Sequence, residues 1–277
     1  MSTEDALTGQ HEQTRKERSG RELVAEVFAF LALPLVQLLR RLRVPPPAVV
    51  LAHSAVGLLA AVAIGAEAFV AAAVLLQLKT LLDNADGQLA RASGRVTALG
   101  RYLDTEADFL VNAALFVALA SVTGASWLAL AAFAGVTLVL SVDHVLTGMY
   151  DEAHGRSLSA PRSSGNGLEA VLERLYDVVF RPQDRAIRAF VEGRFRRRLR
   201  GAPDSERPGD VRRAYHDRET LTVLANLGLS SQLFALGVCL VAGAPEVYLW
   251  LVVCSLVLLP VLQLRRERLA RDAALRS

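Results

Sequence analysis

Four aspartates stand close together in this chain: Asp83 and Asp86, three residues apart, and Asp104 and Asp108, four apart. On helices each spacing puts its two carboxylates on one face, and a short connection between the helices brings the pairs together. Four carboxylates converging away from bulk water repel one another and resist ionisation unless cations neutralise them. Hard oxygen donors select Mg2+ or Mn2+ rather than zinc. Two such ions about 3.5–4 Å apart can share carboxylates while holding both oxygens of a phosphoryl displacement. Neighbouring residues suit that chemistry. Gly87, Ala90 and Gly100 lie on or beside the carboxylate faces, where their lack of bulk lets two helices, or a nucleotide, approach closely. Arg91 can clamp a diphosphate with paired hydrogen bonds, and Thr97 offers a hydroxyl donor. Lys79, one turn before Asp83, can either meet a phosphate or snorkel to a membrane interface. His144, beside Asp143, either lines an acceptor pocket or is a plain interfacial histidine.

The elements that must carry these residues are membrane helices. With 52% hydrophobic residues and a mean hydropathy of +0.32, the chain is too apolar for an ordinary soluble domain of 277 residues. About six runs approach the length needed to cross a bilayer, at 48–64, 68–82, 99–122, 127–145, 221–241 and 247–264. The second is short and the third begins with charged residues, so the aspartate stretch between them sits at a membrane face or in a cavity. Arginines sort by alternate connections: 65–67, 123–126 and 242–246 hold no Lys or Arg, whereas Arg40, Arg41, Arg43, Arg91, Arg95, Arg101, Arg265, Arg266 and Arg268 gather on the other side. By the positive-inside rule both termini and the aspartates face the cytoplasm, across a plasma membrane if the source is bacterial. The expected fold is therefore an all-α integral membrane protein with about six transmembrane helices, an N-terminal interfacial helix and a cytoplasmic helical insert between spans four and five.

Four segments follow from the same reading: a disordered polar N-terminus at 1–20; an interfacial helix and spans one to four at 21–150; a basic insert at 151–218; and spans five and six with a basic tail at 219–277. The insert opens with a Ser/Gly/Pro-rich stretch that reads as a flexible loop. Further on, Ile187, Phe190, Val191 and Phe195 line one face of a basic amphipathic helix over 183–199, a composition that favours anionic lipid headgroups rather than nucleic acid.

The aspartate stretch resembles the signature of the CDP-alcohol phosphatidyltransferases, D-x2-D-G-x2-A-R-x8-G-x3-D-x3-D. Asp83, Asp86, Gly87, Ala90, Arg91, Gly100, Asp104 and Asp108 occupy every specified position with every gap intact. The resemblance implies a six-helix membrane fold, a homodimer, and transfer of a phosphatidyl-type group from a CDP-activated lipid to an alcohol with release of CMP, a step of phospholipid biosynthesis. It further implies that Asp83, Asp86 and Asp104 bind a first metal ion and Asp83, Asp104 and Asp108 a second. Asp108 also takes the proton of the attacking hydroxyl, while Gly87, Arg91 and Thr97 contact the CDP moiety. Two departures stand out. The family's Pro-Asn/Asp run before the first span is replaced by Pro46, Pro47, Ala48 and Val49, and the stretch after span four lacks the Lys/Arg cluster of members that use phosphorylated inositol. A rival from another class is a transporter or non-catalytic protein that keeps the acidic site for cations or nucleotide. Such a pathway has no evident use for Arg91 and the glycines.

Overall fold

In a computed structural model, residues 20–156, 167–199 and 208–275 are described, and among them every regular element is a helix. The expected disorder at 1–20 (apart from residue 20) and the flexible loop opening the insert lie outside these residues. Two short helices, α1 (Leu23–Leu31) and α2 (Leu33–Arg41), lead into α3 (Pro46–Gly65), α4 (Phe69–Ala92), α5 (Ala98–Thr123) and α6 (Ser126–Ala153). The insert forms α7 (Gly167–Val179), α8 (Arg181–Leu199) and α9 (Pro208–Tyr215), and α10 (Arg218–Ala225) starts where it ends, in the expected fifth span. The chain ends with α11 (Leu229–Val241), α12 (Pro245–Ser255) and α13 (Leu258–Ala274).

Among the described residues, five stretches are long and apolar enough to cross a membrane: α3, α5, α6, residues 209–241 and residues 245–274. A sixth arises if α1 and α2, which meet at 44°, count as one broken span. The expected interfacial helix is thus divided. Pro34 explains the break, since it has no N–H to donate and its ring crowds the carbonyl one turn back. The expected second span is the upper part of α4, whose 24 residues suffice to cross, yet α4 is not among the five because Lys79, Asp83 and Asp86 share its apolar window.

α3 is the post on which the site is built. Its buried residues, Val49, Val50, His53, Gly57, Ala60, Ala61 and Ile64, recur every three or four positions and so form one stripe. α4 and α5 both pack along α3 but touch each other little. At Gly57 an added Cβ would stand 2.5 Å from Val111 Cγ1 of α5, so only glycine permits this approach. On its far side α4 meets α11, where Gln77 Nε2 donates to Leu233 O (3.3 Å) and occupies the space a side chain at Gly237 would need. Apolar residues of α3, α4, α5, α6, α11 and α12 fill the bundle at the end away from the aspartates. A smaller cluster, Ala32, Val36, Val49, Ala85 and Leu89, seals α1 and α2 against the site end of α3 and α4.

The insert packs on the bundle rather than standing apart. Tyr176 and Phe180 lay their rings on Tyr102 and Phe109 of α5. Tyr176 also donates to Asp184 at 3.0 Å. Burial and the adjacent Asp184 carboxylate push its phenol up to about 12, so it remains a donor. Of the apolar face expected to lie on lipid, Val191 is buried, and Ile187 and Phe195 pack with Val145, Met149, Tyr215 and Leu262. Phe190 stays exposed. Arg194 and Arg198 of this helix bond to Glu267 of α13, at 2.7 and 3.1 Å, and Arg188 pairs with Glu152. The helix expected at 183–199 is present, but its apolar face and several of its arginines are spent on protein partners.

Candidate functional site

The turn between α4 and α5 sets where the carboxylates converge. α4 ends in a left-handed Gly94 (φ +65), with Arg95 N–H donating to Ala90 O at 2.9 Å, a closure that glycine adopts without a Cβ penalty. α5 starts at once, capped by Thr97, whose Oγ1 accepts the Gly100 N–H at 3.1 Å. The hydroxyl hydrogen of Thr97 stays available to donate, and the side chain is exposed. Between them the helices carry Asp83 and Asp86 on α4 and Asp104 and Asp108 on α5, each pair on one face as its spacing requires.

Three of the four aspartates meet around a residue the sequence reading overlooked. His53, fully buried on α3, directs Nε2 to within 3.0 Å of Asp86 Oδ2, 3.5 Å of Asp104 Oδ1 and 3.9 Å of Asp83 Oδ1. These four side chains offer ligand atoms that all lie within 4.8 Å of one another. Asp86 Oδ2, Asp104 Oδ1 and both ring nitrogens of His53 are buried without a hydrogen bond. Two neighbouring polar groups of α4 are satisfied on their own helix: Thr80 Oγ1 donates to Leu76 O and Asn84 Nδ2 to Thr80 O. Orphaned carboxylate oxygens in a mainly oxygen set suit a hard divalent cation, so the residues fit such an ion.

Asp108 is held separately. Its Oδ1 accepts from Lys79 Nζ at 2.7 Å, and Lys79 is fully buried. Lys79 therefore neither snorkels nor points at open space; it ties α4 to the second aspartate of α5. At the glycines, helix contact is not the alternative seen. A Cβ at Gly87 would meet only the Arg91 guanidinium, 3.3 Å from Nη1, and one at Gly100 only Thr97 Oγ1 at 3.2 Å. Neither glycine faces the opposite helix within 4 Å, so neither draws α4 and α5 together. Ala90 lies half-buried on the same stretch, and His144 is exposed on α6, apart from the cluster. A lone ionisable residue inside an apolar span was the signal that could have found His53.

Residues 42–163 match the model of a family described as CDP-alcohol phosphatidyltransferase, a stretch that runs from the end of α2 through α6 and contains all four aspartates and His53. No curated protein and no solved structure matches the chain.

Proposed function

We propose, from the match of residues 42–163 to the CDP-alcohol phosphatidyltransferase family, that the chain transfers a phosphatidyl-type group from a CDP-linked lipid to an alcohol, releasing CMP in phospholipid synthesis. One observation carries the reading: buried, unbonded carboxylate oxygens of Asp86 and Asp104 converge with Asp83. Asp83, Asp86 and Asp104 would hold one Mg2+ or Mn2+, and Asp108 would complete a second position with Asp83 and Asp104. Bound there, the ions would neutralise the diphosphate and the charge that develops during displacement.

The chain's own groups do the rest. Arg91, folded over Gly87, presents its guanidinium where a diphosphate entering above that glycine would meet it. Thr97 can donate its free hydroxyl hydrogen to the same moiety, and Gly100 and Ala90 keep the approach clear. Asp108 accepts the proton of the attacking hydroxyl on Oδ2, because Lys79 occupies Oδ1 and fixes the plane of the carboxylate. The arginine distribution supports an active site open to the cytoplasm, with both termini on that side. Homodimerisation belongs to this same reading and rests on the resemblance.

The test is CMP release by purified protein in detergent, with CDP-diacylglycerol, Mg2+ or Mn2+, and a panel of glycerol, inositol, serine and choline acceptors. A parallel arm pairs soluble CDP-alcohols with diacylglycerol, which reverses the kinds of donor and acceptor. Metal-dependent release in either arm, with no membrane potential present, distinguishes an enzyme from a cation pathway. Silence in both arms overturns the proposal.

A further inference from the structure

His53 is the only ionisable residue on α3, and it lies outside the aspartate signature. We propose that its Nε2 is a ligand of the cation held by Asp83, Asp86 and Asp104, making the centre a mixed nitrogen–oxygen site that favours Mn2+ over Mg2+; the inference rests on the reading of the aspartates as a metal centre.

Geometry carries it. Octahedral bonds of about 2.0–2.1 Å put neighbouring ligand atoms about 3 Å apart and opposite ones about 4 Å apart. Nε2 lies 3.0, 3.5 and 3.9 Å from single oxygens of the three aspartates, within the same span. The ring is fully buried, and among the described residues the groups paired with Nε2 are these three aspartates. A buried imidazole needs partners for its polar atoms, and among the described residues Nε2 has the carboxylates of the proposed centre, the position a shared cation would take up. α3 has little freedom to move the ring away. One turn further along, Gly57 is pressed against Val111 of α5 and the Lys79 stem of α4, which fixes the height of His53 between the two carboxylate pairs.

The consequence for metal choice is chemical. Mg2+ is held almost wholly by oxygen and sheds water reluctantly, whereas imidazole nitrogen suits the divalent transition metals. One nitrogen among carboxylates therefore shifts the balance toward Mn2+ without excluding Mg2+.

The experiment uses the full chain in detergent, stripped of metal and titrated with Mn2+ alone. Bound Mn2+ is counted by the loss of the free-ion electron paramagnetic resonance signal, and its ligands are read by pulsed measurements sensitive to nitrogen. The expected result is an imidazole nitrogen coupling in the unaltered chain that disappears in His53→Gln. That variant should also bind Mn2+ at least about tenfold more weakly, while Mg2+, measured by competition, weakens less. Coupling absent from the unaltered chain, or persisting in His53→Gln, overturns the assignment without any reliance on how the variant folds. Asp104→Asn separates the two readings. If Mn2+ binds, is lost in Asp104→Asn and shows no nitrogen coupling, the carboxylate centre stands and His53 is no ligand. If the unaltered chain retains no Mn2+, both fail.

Discussion

Lys79 Nζ and Asp108 Oδ1 are 2.7 Å apart, joining α4 to α5 with the lysine fully buried. Removing one partner of a buried pair leaves the other charge uncompensated, whereas removing both does not; the first typically costs about 3–5 kcal/mol. Lys79→Met should therefore lower the detergent melting temperature markedly in the presence of a chelator. Adding Asp108→Asn to that variant should recover much of the loss. If the double variant melts no higher than Lys79→Met, the pair does not set the α4–α5 relationship.

The aspartates divide by role. Asp83→Asn and Asp104→Asn should each lose metal affinity and CMP release together, because the proposed function has their oxygens shared between two metal positions. Asp108→Asn should instead depress turnover by about a hundredfold or more at saturating metal, the scale of a lost general base. Full rescue of Asp108→Asn by excess Mn2+ would reduce it to a ligand.

Close packing gives a third expectation. A methyl group at Gly57 would stand 2.5 Å from Val111 Cγ1 and 3.4 Å from Lys79 Cδ, so Gly57→Ala must push α3 and α5 apart. Overpacking of this kind costs about 1–3 kcal/mol. Val111→Ala in the same chain should restore both melting temperature and activity; restoration of neither would point to a different cause of any loss.

For the insert, Glu267 is the anchor: it is 1% exposed and accepts from Arg194, Arg198 and Gln263. Glu267→Gln should release α8 and speed tryptic cleavage after Arg194 and Arg196 several-fold, with little change when anionic vesicles replace neutral ones. Protection by anionic vesicles alone would return α8 to a lipid-binding role.

The aspartates, their facing and the short turn between their helices were readable because i,i+3 and i,i+4 spacing fixes a helical face and Gly94 marks the turn. The broken N-terminal helix had a local sign in Pro34. His53 was harder to see because α3 is apolar around its whole circumference, so no pattern shows which side meets the aspartates. The partner of α8 was beyond sequence for a related reason. Ile187, Val191 and Phe195 make the same stripe whether lipid or α6 and α13 cover it, and only tertiary packing decides. Lys79 read equally as a phosphate contact or as a residue snorkelling to the interface, and its actual partner lay 29 residues away.

The arrangement in which α4 and α5 lean on α3 and hardly on each other has a bearing on how such a site diversifies. A change on α4 or α5 alters one jaw, but a change of residue size along the buried face of α3 resets the opening between the jaws while sparing every group that does chemistry. Adaptation to larger or smaller headgroups is then most accessible through apolar positions such as Val49, Val50 and Ala60, which would look neutral to anyone scanning for reactive side chains.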